Sequence, residues 1–212
     1  MINDEKKEKK VRQFLTAIGE DLGRHGLRDT PRRVAEMHES LKSLEDHLNE
    51  VREWLAKNHS DDSELDRTFD ESVDDLVMVR NIQYESRCEH HLLPFYGHCH
   101  IAYIARGKVF GASKLVRVAN KWAGRLQIQE RLTKQIADEI YKSPLRPLGV
   151  MVIMTGKHLC MTDRGVNNLT AELVTSALRG VFLTNSSIKL EVLRLLAIES
   201  GGRMTTGAGN KK

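Results

Sequence analysis

Two short segments far apart in the sequence carry the donors of one metal site, and this limits how the chain can fold. In Cys88-Glu89-His90-His91, the first and last residues are a thiol and an imidazole at zinc-ligand spacing. In His158-Leu159-Cys160, a second imidazole and thiol follow the apolar run 149–154, which predicts a buried strand. Zinc takes four ligands in a structural site, or three and a water in a catalytic one. Neither segment is sufficient alone, so the fold must bring both to one place.

The residues allow two arrangements of this site. If strand geometry continues through the second segment, His158 and Cys160 point to the same side and lie close together. In an open catalytic site, Cys88, His91 and Cys160 hold the ion with water as fourth ligand. His90 and His158 then transfer protons near that water. In a closed structural site, His158 is the fourth ligand and His90 is an ordinary polar residue, and the spacing does not choose between the two.

Composition limits the class of protein. The chain has 212 residues, enough for one domain with a buried core. Lysine and arginine exceed aspartate and glutamate by only 33 to 29, which does not indicate a nucleic-acid or membrane partner. Three cysteines are too few for a disulfide framework and suit thiolate ligands in a reducing compartment. Signal-peptide and membrane-spanning patterns are absent from the sequence, so we expect a soluble cytoplasmic protein.

Hydrophobic periodicity predicts an α+β chain. The N-terminal helical pattern is interrupted near Gly26, with Thr30 predicted as an N-cap and Pro31 as the first helical residue. Strand alternation separates Cys99 from the histidines beside it, which predicts Cys99 in the core and His98 and His100 on the surface. The predicted strands span Leu76–Ile82, Gly97–Ile104 and 149–155, the predicted helices span about 5–56, Ser113–Tyr141, 169–183 and 187–197, and 57–72 is a predicted loop.

Two further groups of residues fit an anionic purine ligand. Ser113, Lys114 and Arg117 open a helix, where backbone amides and two cations can reach one anion. The segment Gln127–Arg131 sets a carboxylate beside an amide, the pair needed to bind a purine's amino and ring N–H groups. Arg164 would place another cation beside the metal. Each group also has an ordinary interpretation, because charged helix faces and loop arginines are mostly solvated surface.

Taken in order, these segments resemble the GTP cyclohydrolase I family, zinc enzymes that convert GTP into 7,8-dihydroneopterin triphosphate and formate. The agreement covers nearly the whole chain. The segments that carry it are Gly26-Leu27, Thr30–Ala35, Cys88–Phe95, Gly111, Ser113–Leu115, Arg117, Arg125–Gln127, Gln129–Thr133, His158–Cys160, Arg164–Val166 and Thr175-Ser176.

The resemblance implies a role for each site residue. Cys88, His91 and Cys160 are expected to bind zinc, which selects the open site. Water is expected to attack C8 of the guanine ring, while His158 and His90 move protons as the ring opens, formate leaves and a pterin ring closes. The residues expected to bind substrate are Gln129 and Glu130 at the guanine edge and Ser113, Lys114, Arg117, Arg164 and Arg33 at the triphosphate.

The resemblance also implies an architecture. It predicts the tunnelling fold, an antiparallel sheet with helices on one side and an N-terminal helical segment. Copies are expected to form a toroidal homodecamer with active sites at subunit interfaces, acting on GTP and water. The expected divisions are an N-terminal helical segment with a variable loop over 1–72, a catalytic domain over 73–198 and a disordered tail over 199–212.

The chain departs from the family pattern at Asn167–Glu172, where members often carry a basic residue first and a serine at the position of Ala171. Two other functions therefore stay open. One is a related enzyme of the same fold that acts on another purine nucleotide, and the other is a non-catalytic, zinc-stabilised oligomer. The presence of His90, His158 and Glu130 argues against the second.

Overall fold

The chain folds around a mixed β-sheet with helices before, between and after its strands. The computed structural model describes residues 2–62, 65, 68–71, 74–163 and 167–198. The strands are β1 (Thr68–Asp70), β2 (Leu76–Cys88), β3 (Pro94–Ile104), β4 (Lys108–Phe110), β5 (Leu126–Gln127), β6 (Gly149–His158) and β7 (Leu173–Gly180). The α-helices are α1 (Ile2–Ala17), α2 (Thr30–Glu36), α3 (Leu41–Asn58), α4 (Ala112–Ala123), α5 (Gln129–Lys142), α6 (Leu159–Thr162) and α7 (Ser186–Leu196).

The main sheet has five strands in the order β5-β2-β3-β6-β7. The pairs β2–β3, β3–β6 and β6–β7 are antiparallel, as expected, but the two-residue β5 joins β2 in parallel. The short β1 and β4 form a separate antiparallel ribbon. None of the helices in the described part of the chain is both long and apolar enough to cross a bilayer.

One face of the sheet carries the larger core. The amphipathic helices α4 and α5 lie on this face, with Leu115 and Ile136 packed against Ile101 and Val152 of the sheet. Cys99 is fully buried in this core and His98 is exposed, as predicted, while His100 is half-buried. The other face is covered at one end by α7. Helices therefore lie on both sides, which differs from the expected one-sided arrangement.

The three N-terminal helices form a second core that reaches the metal-site segment. Val11, Leu27 and Leu48 pack with Leu92, which directly follows His91. Each of these four apolar side chains is buried. Because Leu92 packs in this core, the N-terminal helices hold the Cys88–His91 turn in position.

Strand β2 contains an irregularity that changes which side chains face the larger core. Its register against β3 shifts between Val79 and Ile82, and Asn81 has a φ of 60°. Before the shift, the odd-numbered Val79 packs against the larger core, whereas after it the even-numbered Ile82 and Cys88 do so. The extra residue is a β-bulge.

Three sequence-based element predictions need correction. The predicted helix over 169–183 is wrong, because Leu173–Gly180 is the antiparallel strand β7 paired with β6. The predicted helix Ser113–Tyr141 is two helices. α4 ends at Ala123, the short strand β5 follows, and α5 begins at Gln129. The predicted loop 57–72 contains the strand β1, and α3 extends to Asn58. The predicted disordered tail, 199–212, lies outside the described residues.

Candidate active site

Two thiols and an imidazole come together where two strands of the sheet end. β2 ends at Cys88 and β6 ends at His158, on either side of β3. Cys160 lies in the first turn of α6, so the extended geometry predicted for this segment stops at His158. The ligand atoms of all three residues nevertheless lie within 4.8 Å of one another.

His91 joins this group through a tight turn. The backbone N–H groups of His91 and Leu92 donate to the carbonyl oxygen of Cys88, at 3.2 and 2.7 Å. Leu92 has a φ of 60°, which closes the turn. His91 Nδ1 consequently lies 3.9 Å from Cys88 Sγ, while the His90 ring stands nearly perpendicular to the His91 ring at 6.1 Å.

The chemistry of these donors suits zinc. Cys88 and Cys160 are free thiols, and thiolate and imidazole are the ligands that zinc takes in proteins. His158 lies with both thiols, whereas His91 lies beside Cys88 and outside the group whose ligand atoms are all within 4.8 Å of one another. The structure thus brings together two of the three predicted ligands, Cys88 and Cys160, with His158, which the resemblance leaves unligated.

The His158 ring is held from two directions. It stacks on Phe95, with ring centroids 4.4 Å apart and an interplanar angle of 7°. Its Nε2 lies 3.0 Å from Gln129 Oε1, and the side chain is only 7% exposed. Neither contact was predicted from the sequence, although the Cα pairing of Phe95 with His158 follows from the β3–β6 register.

Gln129 lies deeper than a substrate-binding residue would require. It is fully buried at the start of α5, where the sequence pattern placed it in mid-helix. Its Nε2 lies 3.2 Å from Met154 O, 2.9 Å from Leu173 O and 3.1 Å from Thr175 Oγ1. Its amide therefore faces protein groups, whereas the neighbouring Glu130 is exposed.

Glu89 anchors the metal-site turn to the rest of the molecule. Its side chain is 2% exposed, and its carboxylate lies 2.5 Å from Arg131 Nη2 and 3.1 Å from Arg24 Nη2. Its carbonyl oxygen accepts from Thr30 Oγ1 at 2.7 Å. Thr30 was predicted as the N-cap of α2, but it is the first residue of the helix. The N-cap is Asp29. Motif spacing gives no signal for this role, because Glu89 acts through partners distant in sequence.

The buried position of the Glu89 carboxylate also requires a glycine at position 26. A Cβ at Gly26 would lie 1.7 Å from Glu89 Oε1. No rotation of a methyl group relieves so short a distance, so Gly26 leaves the space that the buried carboxylate occupies.

The predicted triphosphate residues lie on other elements. Ser113, Lys114 and Arg117 occupy the first two turns of α4, whose N-cap is Gly111. Arg33 lies on α2, where its Nη2 is 3.6 Å from Asp29 Oδ2. Arg164, the remaining predicted cation, falls outside the residues that the structure describes.

The segment that departs from the family pattern has its own local order. Asn168 Oδ1 accepts from the backbone N–H groups of Thr170 and Ala171, at 3.1 and 3.0 Å, and from Thr170 Oγ1 at 3.1 Å. Asn167 before it has a φ of 48°. The turn is thus held by an asparagine side chain, and Ala171 contributes its backbone.

Comparisons with known proteins agree with one another. The sequence model of the GTP cyclohydrolase I family matches residues 7–197. A protein of Carboxydothermus hydrogenoformans named GTP cyclohydrolase 1 is 47% identical over 201 residues, which is 94% of this chain and 98% of that protein. Proteins of the same name from Hyperthermus butylicus and Bacillus subtilis are 50% and 48% identical. These alignments cover 92% and 91% of this chain, and 92% and 95% of the respective relatives.

Proposed function

This chain belongs to the GTP cyclohydrolase I family of enzymes, and on this premise we propose that it hydrolyses the imidazole ring of GTP. C8 leaves as formate, and after a rearrangement of the ribose two of its carbons close a new six-membered ring, which gives 7,8-dihydroneopterin triphosphate. The observation that carries the proposal is the convergence of Cys88, His158 and Cys160 within 4.8 Å, with His91 beside Cys88. These are the residues that a zinc-dependent hydrolysis needs.

Cys88, His91 and Cys160 are the proposed zinc ligands. The proposal leaves His158 unligated, as the family resemblance implies, and Phe95 and Gln129 hold its ring beside the thiols. When bound, zinc would lower the pKa of a water molecule toward neutrality, to about 7 in favourable sites. The buried setting of Cys88 keeps bulk solvent away from this ligand.

His158 and His90 are the proposed proton carriers. A neutral imidazole can accept a proton from water and return it to a ring nitrogen of the substrate at neutral pH. His158 is buried and fixed, whereas His90 lies half-exposed in the turn after Cys88. One carrier is thus rigid and the other lies nearer solvent.

Substrate binding is assigned to residues on α2, α4 and α5 and to Arg164, which lies outside the described residues. We propose that Glu130 accepts from the guanine N–H groups, because its carboxylate is exposed at the start of α5. Gln129, which was expected at the same edge, is fully buried. The proposed triphosphate ligands are the cations and hydroxyl predicted from the sequence, namely Ser113, Lys114, Arg117, Arg164 and Arg33.

Association of several copies is part of the proposal. The exposed apolar side chains Leu190 and Leu193 on α7 and Val174 on β7 support it, because they are 53%, 48% and 61% exposed in the single chain. A toroidal decamer with sites between subunits would bring cations of one copy to the zinc ligands of another.

The test of the function is direct. The zinc-loaded protein is incubated with GTP, the mixture is oxidised, and neopterin fluorescence and formate are measured together. We expect both products in equal amounts. Turnover of another purine nucleotide without turnover of GTP would support the related-enzyme alternative. Absence of all turnover, with four protein ligands on zinc, would support the non-catalytic oligomer.

Lys114→Gln is expected to weaken GTP binding while leaving the chemical step intact. A hydrogen bond to a charged group contributes about 1.5–3 kcal/mol, so KM for GTP should rise roughly 10- to 100-fold. Steady-state kinetics would measure this change. Lys134→Gln on the exposed face of α5 removes the same charge and should leave KM unchanged. Equal KM values for the Lys114 variant and the parent would remove Lys114 from the phosphate site.

A further inference from the structure

We propose that Gln129 is a positioning residue that fixes the tautomer of His158, and that it does not contact the guanine. The inference rests on the proposed function, in which His158 moves protons. The family resemblance predicts instead that Gln129 binds the guanine edge. The hydrogen-bond partners of the buried Gln129 amide support the positioning role.

The orientation of the Gln129 amide follows from its partners. One end faces the carbonyl oxygens of Met154 and Leu173, at 3.2 and 2.9 Å. Carbonyl oxygens only accept hydrogen bonds, so the amide nitrogen must occupy that end. The opposite end, 3.0 Å from His158 Nε2, is therefore the oxygen Oε1.

The tautomer of His158 follows from that orientation. Gln129 Oε1 can only accept, so His158 Nε2 must carry the hydrogen. In the neutral imidazole, Nδ1 is then the nitrogen that carries the free lone pair.

Protein groups surround Gln129 Oε1. The Tyr84 hydroxyl lies 3.3 Å from this oxygen, and burial raises the pKa of Tyr84 so that it stays protonated. Gly156 leaves the space beside it, since a Cβ there would lie 2.2 Å from Oε1. The amide is thus enclosed by protein, which leaves no room for a guanine edge to reach it.

The tautomer can be measured without relying on activity. Magic-angle-spinning NMR of the zinc-loaded protein with 15N-labelled histidine distinguishes protonated from unprotonated ring nitrogens. The His158 signals are identified by their loss in His158→Asn. We expect His158 to be protonated at Nε2 in the parent protein. Protonation at Nδ1 alone would overturn the proposal, and this result needs no Gln129 variant to fold and no turnover of GTP.

Kinetics separate positioning from guanine binding. In Gln129→Met, His158 loses its acceptor, so we expect kcat to fall about 10- to 100-fold, by analogy with the loss of a partner that orients a metal-binding imidazole. KM for GTP should stay the same. A guanine-binding role predicts the opposite pattern, a raised KM with little change in kcat, and that result would overturn the proposal.

Two matched variants complete the test. Tyr84→Phe removes the other donor near the same oxygen and should keep both the Nε2–H tautomer and kcat. Gln129→Glu places a carboxyl group against two carbonyl oxygens, where burial favours its protonated form. Its second oxygen still accepts from His158, so this variant should keep the tautomer and recover kcat relative to Gln129→Met. Failure of Gln129→Glu to recover either property would count against positioning by an acceptor.

Discussion

Cys160→Ser is expected to lose both zinc and GTP turnover, whereas His158→Ala is expected to keep zinc and lose turnover alone. The serine oxygen is a poor replacement for a thiolate ligand, and Cys160 is one of only two thiols at the site. Removal of a proton carrier typically costs about 10²- to 10⁴-fold in rate, and we expect a loss in that range for His158→Ala. Zinc per subunit, measured by elemental analysis, and steady-state turnover together distinguish the two variants.

The third thiol of the chain provides a control for this experiment. Cys99 is fully buried in the larger core, and burial raises its pKa, so it stays a neutral thiol. Cys99→Ala should therefore keep zinc at the parent level. Loss of zinc in His158→Ala would contradict the proposed ligand set and would favour the closed site in which His158 is the fourth ligand.

Glu89→Ala is expected to lower the free energy of unfolding by about 3 kcal/mol, the lower end of the range for breaking a buried ion pair. The lower end applies because the partners Arg24 and Arg131 are 34% and 27% exposed, so water can solvate them when the carboxylate is removed. Urea unfolding at one fixed protein concentration would measure the change, since association contributes to stability.

Glu85→Ala is the matched control for Glu89→Ala. Glu85 lies on the same strand and is 49% exposed, with Arg87 Nη2 at 3.6 Å. An exposed pair of this kind contributes about 0–1 kcal/mol. Similar losses for the two variants would mean that burial of Glu89 adds nothing, and the anchoring role would have to be abandoned.

The proposed metal donors could be found from the sequence because their chemistry resides in residue type. A cysteine and a histidine at short spacing suggest a metal site whatever surrounds them, and two such segments must meet to complete it. Helices α1, α3 and α7 were also predicted, since each has three or more turns with regular apolar spacing.

Features that depend on distant partners could not be predicted in this way. The segment Leu173–Gly180 carries a pattern compatible with a helix, and pairing with β6 makes it a strand instead. Glu89 and Gln129 resemble ordinary polar residues until their partners are known. Their roles come from Arg131 and from His158, which the fold brings to them.

The bulge at Asn81 has a consequence for how this protein can change over time. Residues of a strand alternate between two faces, so the single extra residue sets the phase for everything that follows it in β2. With the bulge kept, loss of one residue between Asn81 and Cys88 would turn the Cys88 thiol away from His158 and toward the opposite face. Loss of the bulge in the same change would restore the phase. A one-residue deletion here should therefore be inherited together with loss of the bulge, and one that keeps the bulge would separate the metal donors without altering any of them.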